Sequence, residues 1–498
     1  MSEVRMMDRS DPGTDCGQEQ DGPPPPDQVI SQRGEASRPE LPGLPPPVTP
    51  SSSDVSPSPS AEASGLLSLP WEMLTNIASH LPAQCVIDVL PKVCHALENV
   101  GKDSTAWQLR AARLIGSRAG FPVGPREDFD WPSACVEMEQ LTTCWTGQAH
   151  LKAKQTQEGE GERQPQDVAL NPQEELAEPQ NQENGRPIEI DEHRPPRSLS
   201  PPPELECIPL PSEHIGQINS VLLMGEGTVL ATGSRDWNVK LWDLQAGSGA
   251  TLLHTLGGQG DFSTHGGWVW CLSALGHQLA SGGFDSTVRL WDLQADGAKM
   301  GLIRAGAAVL CLSYQADILL AGTLDKRVNM YDPRAAQPLV KSICLHGEAV
   351  LCMAADDKYI ISGSTDCTVA VYDRRAGKDL KKLRLSSYLQ SMSYRGCEVW
   401  AGDHSGMIHT FSMQAGTLKP ISKFDVGHGA MITGIHRSAG SLYTCSTDRT
   451  VKVHIPCAPP RTLCTQHHKA GVNALSVEAG VLALASGDMR VEVWRPRK

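Results

Sequence analysis

Two periods of apolar residues divide this chain. Between residues 205 and 498, apolar and polar positions alternate in short runs, as in Thr287–Asp292, TVRLWD, where Val288 and Leu290 alternate with polar neighbours. A period of two over four to eight residues predicts a half-buried strand. Gly and Asp punctuate the chain just before each such run and mark turns. Between residues 66 and 115 the spacing changes to three and four. Leu74, Ile77 and Leu81 share one face at i, i+3 and i+7, and Val86, Val89, Leu90 and Val93 continue the pattern. That spacing predicts short helices, with Pro70 in a first turn and Pro82 closing the helix. A further apolar set, Cys135, Met138, Leu141 and Trp145, follows Trp131-Pro132 and predicts a helical spacer over 116–147. Residues 1–64 and 148–202 show neither period.

The strand region repeats. Its clearest copy is Leu279–Asp292, LASGGFDSTVRLWD, and the turn acids or their equivalents fall at Asp236, Asp285, Asp325, Asp366, Ser405, Asp448 and Asp488. Successive separations are 49, 40, 41, 39, 43 and 40 residues. A period near 40–45 with a Trp-Asp ending, as at Trp242-Asp243 and Trp291-Asp292, is that of a four-stranded blade, which buries its faces only by stacking on its neighbours. Seven copies predict an all-β, seven-bladed propeller over 203–498. The last copy ends at Trp494, so its outer strand must come from elsewhere. Leu205–Leu210 is the candidate, closing the ring with chain from both ends.

These copies resemble WD-repeat proteins. In that family the turn Asp joins a buried network of His, Ser or Thr, and Trp, which fills the acceptors of a carboxylate that is costly to bury unpaired. The resemblance implies such sets at His214, Thr232, Asp236 and Trp242 in blade one. It implies His265, Ser281, Asp285 and Trp291 in blade two, and His346, Ser362, Asp366 and Tyr372 in blade four. Ser, His and Asp also make catalytic triads, but a set repeated in register around a ring is architecture. Blade three lacks the His (Ala305-Gly306) and the Ser (Ala321), blade five has Ser405 for the Asp, and blade seven has a shortened turn.

The helical stretch over 65–115 resembles an F-box in the order and spacing of Leu69-Pro70, Leu74, Ile77, Leu81-Pro82, Val93-Cys94 and Trp107. A helical unit this small buries little core and gains order by lending an apolar face to a partner. The F-box family binds the adaptor Skp1, and through it cullin-1 and a RING subunit. The resemblance therefore implies that Leu69, Pro70, Leu74, Ile77, Leu81, Pro82, Val93 and Trp107 serve that contact. Two residues depart from the pattern. Pro91 stands where a helix usually continues, at a cost of about 3 kcal/mol in a helix interior, and Leu97 replaces an aromatic residue.

Charge and composition narrow the classes. Residues 1–200 carry 31 acidic and 16 basic side chains, and residues 201–498 carry 26 and 28. The ring is nearly neutral, without the concentrated basic face a nucleic acid requires. No apolar run is long enough to span a membrane, and no signal peptide precedes the tail. The 15 Cys include no C-x-x-C pair. Reduced, buried thiols in the cytoplasm or nucleus are therefore expected, with no metal site and no cofactor. Residues 1–64 form a Pro- and Ser-rich tail, and 148–202 an acidic linker, both too polar to fold and the linker long enough to let the ring sample many positions. Thr49, Ser56, Ser58 and Ser200 precede prolines and are, with Ser198, possible phosphorylation sites.

On the ring, the residue before each turn acid points to the face that WD-repeat families use for binding. Arg235, Phe284, Leu324 and His404 hold such places, and Trp268 and Tyr388 lie near them. Only Arg235 is cationic there, which predicts a target surface led by aromatic and apolar contacts over a multi-arginine phosphate pocket. The combination resembles the F-box/WD-repeat family, which implies a non-catalytic, target-recognising subunit of a Skp1–cullin–F-box ubiquitin ligase. The alternative is a WD-repeat scaffold acting outside any ligase.

Overall fold

The computed structural model describes residues 66–116, 119–124, 129–159, 205–211, 213–245, 249–257 and 264–497, with backbone alone at Leu67, 147–159 and Ala415. The tail over 1–64, most of the linker, and the possible phosphorylation sites Thr49, Ser56, Ser58, Ser198 and Ser200 lie outside the described residues.

Seven antiparallel four-stranded sheets follow one another around a ring. Blades one to six span 218–256, 269–304, 309–344, 350–384, 389–425 and 432–467, and blade seven spans 472–496. The outer strand of blade seven is Leu205–Pro209, paired antiparallel with Leu205 opposite Pro496 and Cys207 opposite Trp494. The ring thus closes as the chain ends require, and its first and last residues hold one sheet. The second and third strands of each blade are more buried than simple alternation suggests. Leu279–Gly283 and Val288–Trp291 are buried almost throughout, Arg289 included, because neighbouring blades cover both faces of the sheet. Apolar clusters accordingly bridge blades, as where Leu241 of blade one meets Val269 and Trp291 of blade two.

Every first strand carries a register shift at its second residue, which skips Asn219, Trp270, Leu310, Leu351, Gln390, Thr433 and Asn473. A bulge leaves one residue unpaired and re-aims its side chain. Each blade uses this strand to tie itself to the next. Asn219, Thr433 and Asn473 donate to the carbonyls of Val269, Val472 and Ile218 at 2.9, 2.6 and 2.8 Å. Where the skipped residue is Trp, Leu or Gln, the following residue takes over. Cys271, Cys311, Cys352 and Ser391 donate to Val309, Val350, Leu389 and Ile432. All seven blade boundaries are latched in this way.

The helical unit comprises α1 (Trp71–Ala78), α2 (Ala83–Asp88), α3 (Leu90–Val93), α4 (His95–Lys102), α5 (Ser104–Ile115) and α6 (Trp131–Gly159). The single helix expected to end at Pro82 instead stops at Ala78, and Pro82 is the N-cap of α2. Pro91 sits at the start of α3, where its missing N–H costs nothing. The stretch is accordingly split at Val89 into the two short helices α2 and α3. Leu97 fills the core with Val100, Ala106 and Trp107.

α6 changes the expected organisation. It runs to Gly159, beyond the boundary expected at 147. It packs on both modules. Its Glu139 accepts from Ala83 N at 2.7 Å and pairs with Arg110 at 2.5 Å, while Trp145 lies 6.3 Å from Tyr443 and 5.8 Å from Trp494. Glu137 accepts from Ser438 Oγ and from Gly440 N. A Cβ on Gly440 would lie 2.3 Å from the Ala134 carbonyl oxygen, so glycine is what admits the helix this close. Gly124 N donates to Glu398 at 2.7 Å, and Gly120 and Ala458 exchange backbone hydrogen bonds. The helical unit is therefore fastened to blades five to seven before the linker begins. The freedom expected from the linker does not extend to the helical unit. Among the described residues no helix is long and apolar enough to cross a membrane.

Candidate binding surfaces

The turn acids organise one face of the ring. In blade two, Asp285 accepts from His265 Nδ1 at 3.0 Å, from Gly266 N at 2.8 Å and from the Thr287 hydroxyl at 2.8 Å. His265 Nε2 meets Ser281 Oγ at 2.8 Å, which also accepts from Trp291 Nε1 at 2.9 Å. Blade one repeats this with His214, Asp236, Thr232 and Trp242 at 2.7, 2.8 and 3.0 Å. Burial alone would raise the Asp285 carboxyl, but the His265 hydrogen bond and charge, with the Gly266 amide, hold it well below the usual carboxylate range.

Blade four departs from the expected set. Thr368 stands between Asp366 and His346, accepting from one side and donating to the other at 2.7 and 2.5 Å. Tyr372 does not join Ser362. Its longer side chain carries the hydroxyl to Lys341 Nζ of blade three, 2.6 Å away. Blade six holds a full set that its lack of a Trp-Asp ending concealed. His428 bonds Asp448 at 3.0 Å and Thr444 at 2.8 Å, and His454 replaces the Trp at 3.1 Å. The signal was present in spacing, since His428 precedes Asp448 by 20 residues, as His265 precedes Asp285.

Blade five has not lost its acid. Where blades one, four, six and seven read Ser-x-Asp, it reads Asp403-x-Ser405, with hydroxyl and carboxylate exchanged. The buried Asp403 accepts from His409 at 2.9 Å and from Ser405 and Met407 amides at 2.9 Å. In blade seven, His468 turns to Glu492 at 3.4 Å and not to Asp488. In blade three, Asn329 reaches Ala305 O at 3.4 Å, where a histidine would stand.

The network makes a strained turn tolerable. The residue after each acid or its equivalent has positive φ: Trp237, Ser286, Lys326, Cys367, Gly406, Arg449 and Met489, between 60° and 85°. A non-glycine residue there costs about 1–2 kcal/mol. The Asp side chain offsets it by accepting the amide two residues on, as from Asn238 at 3.0 Å and Thr450 at 2.8 Å.

The residue before each acid stands in register on this face. Arg235, Phe284, Leu324, Thr365, His404, Thr447 and Gly487 each donate a backbone N–H to the residue just ahead of the first strand, including Phe284 to Trp268 and His404 to Tyr388. The expected surface residues thus fall into two patches. Arg235 lies 4.9 Å over the Trp268 ring, and Phe284 packs 5.5 Å from Trp268 and 5.1 Å from Trp270, with Leu324 on the next blade. Tyr388 and His404 stack at 4.6 Å on blade five, with a 2.7 Å hydrogen bond. Thr365 of blade four separates them. Trp268 and Phe284 remain 41% and 38% exposed, so they are not simply packing between blades.

On the helical unit, Pro70, Ile77, Pro82 and Val93 are exposed, and Leu69 and Leu81 are half-buried. Leu74 and Trp107, expected at a partner surface, are buried instead. Leu74 packs in the helical core with Ala78 and Trp107, the Arg110 guanidinium caps Ala78 O at 2.6 Å, and Trp107 Nε1 donates to Gly101 O at 2.8 Å. Both hold the helices together. Trp71, Met73, Ile87 and Val89, which the motif did not single out, are exposed. The helical unit touches the ring through hairpin ends at Glu398, Ser438–Gly440 and Ala458, on the face opposite the Asp turns.

Comparisons with known proteins agree with this architecture. The WD domain, G-beta repeat family matches residues 205–243, 253–292 and 337–373, stretches that end on Asp243, Asp292 and Asp373. Among solved structures, the WD40 propeller domain of Doa1 superposes with a TM-score of 0.50 at 18% identity, covering 58% of this chain and 96% of that one. The structure of U3-55K gives 0.52 at 16%, covering 58% and 98%. These likenesses concern the fold. F-box/WD repeat-containing protein 9 of Bos taurus is 43% identical over 440 residues, 88% of this chain and 84% of that protein. Its namesake in Homo sapiens is 41% identical over 434 residues, 86% and 82% respectively. With helices ahead of a seven-bladed ring and this identity over most of its length, the chain belongs to the F-box/WD repeat-containing protein 9 family.

Proposed function

We propose that this chain is the target-binding subunit of a Skp1–cullin–F-box ubiquitin ligase. One observation carries the reading. The helical unit is bolted to the ring through α6, yet leaves Trp71, Met73, Ile77, Ile87, Val89 and Val93 between 38% and 62% exposed. Apolar surface of this density on so small a unit marks a protein interface. The names of the relatives, which carry the F-box, support the same assignment. Skp1 then sits on Leu69, Pro70, Ile77, Leu81, Pro82 and Val93, with cullin-1 and the RING subunit beyond it. The target sits on the opposite face of the ring. The chain positions and does not catalyse. Its repeated His, Asp and hydroxyl groups are consumed in the turns.

The test is co-purification of Skp1 and cullin-1 with the full chain, the Leu69→Ala/Pro70→Ala double variant, and Val93→Asp. The reading expects recovery with the parent and loss with both variants at unchanged unfolding temperature. Failure of the parent to retain Skp1 would leave a scaffold outside any ligase.

A further inference from the structure

Six large apolar side chains stand beside the Asp turns, all on four adjacent blades. They are Met489 on seven, Ile215 and Trp237 on one, Trp268 and Phe284 on two, and Leu324 on three, each 38–89% exposed. The corresponding tips of blades four to six present Thr365, Cys367, His404, Thr447 and Arg449, with Tyr388 and Met431 only half-buried beside them. The apolar surface is thus a continuous arc over about half the rim. Within it, Arg235 is held rather than free. Its guanidinium lies 4.9 Å from the Trp268 ring, and its Nε donates to Asn219 Oδ1 at 3.1 Å. Among the described residues no carboxylate pairs with Arg235. Of the neighbouring cations, Lys326 pairs with Glu348 at 3.7 Å, Arg490 with Asp488 at 3.6 Å and Arg289 with Asp285 at 3.9 Å, while the exposed Lys469 of blade seven has no ion pair among the described residues.

We propose that this arc binds an extended segment of the target in which one Asp or Glu carboxylate is flanked by apolar side chains. The proposal rests on the reading of the ring as the target receptor and names what that receptor takes. Stacking and the Asn219 bond engage the guanidinium face and Nε and leave the two terminal nitrogens of Arg235 without a hydrogen bond among the described residues, a planar fork matched to a carboxylate. Arg235 is the unpaired cation stacked on the arc's aromatic centre, and its single charge complements one carboxylate there. A phosphate ester carries close to two and is held by several cations. The flanking apolar side chains lie on Trp268, Phe284 and Leu324 to one side and on Trp237, Ile215 and Met489 to the other. Aromatic and arginine anchors at the centre of such a surface carry most of the binding.

The test is equilibrium binding of the purified full chain to short synthetic peptides. A central Glu, phosphoserine or Gln is placed between Leu and Phe flanks or between Ser and Gly flanks. The Glu peptide with apolar flanks is expected to bind best, with Gln weakening it about 10- to 100-fold and polar flanks abolishing it. Arg235→Met is expected to erase the preference for Glu over Gln, Arg235→Lys to restore part of it, and Thr447→Ala on the far arc to leave it intact. Preference for phosphoserine, an unaltered Glu preference in Arg235→Met, or no binding of any peptide by a chain that unfolds cooperatively would each overturn the proposal. Skp1 binding is measured on the same samples. If it persists while the peptides fail, only the ligand class falls; if it is absent, the receptor reading falls.

Discussion

Asp285 and Asp325 occupy equivalent turns and carry different loads. Asp285 is nearly buried and binds His265, Gly266 and Thr287. Asp325 is 43% exposed and receives only the Thr323 hydroxyl and a distant Arg327. Asp285→Ala should therefore cost about 3 kcal/mol, and Asp325→Ala less than about 1 kcal/mol. Denaturant unfolding of the two variants checks this, and equal losses would contradict it. The buried histidines give the ring a pH dependence. Burial lowers His346 to about 4 and His454 to about 3. In the unfolded chain both titrate near 6.5, so the unfolded state binds more protons between those values. Stability is complete above about pH 6.5 and falls as pH drops toward 4, by about 3 kcal/mol for His346 alone. Asp448, held at about 2 against burial by Thr450, Gly429 and His428, adds a further loss between about pH 4 and 2. Unfolding midpoints at pH 7 and pH 5 test the sign, and a flat or rising midpoint on acidification would contradict it.

At the scale of elements, what was legible followed what repeats. The seven strands ending near Trp242, Trp291, Tyr331, Tyr372, Phe411, His454 and Trp494, and the return of Leu205–Pro209 to close the sheet, follow from period and chain length. The turn networks were legible where the residues stood in their usual order. They were missed where order changed, as with Asp403 before Ser405, or where His454 stood for Trp. The docking of α6 was not legible, because Glu137 and Glu139 look like solvated charges until Gly440 and Ala83 present their backbone amides. The motif marks Leu74 and Trp107 without saying which way a side chain faces, and both are buried in the helical core. Glu137→Ala removes two hydrogen bonds to the ring and should loosen the helical unit by about 2 kcal/mol. Hydrogen exchange in α6 and α5 should then accelerate while ring amides hold. Unchanged exchange in α6 would show that Trp145 and its neighbours suffice.

At the scale of the whole molecule, the two surfaces proposed for binding lie on opposite faces of one body. With Skp1 proposed on the helical surface and the target on the arc around Arg235, α6 and its contacts with blades five to seven would set the distance between them. The seven latches from Asn219 round to Asn473 keep the ring from opening under that load. The most direct measurement is amide hydrogen exchange on the full chain with and without Skp1. The account predicts new protection within residues 66–93 and none at Arg235, Trp268, Phe284 or Leu324. Protection centred on the ring face, or no protection anywhere at saturating Skp1, would contradict it.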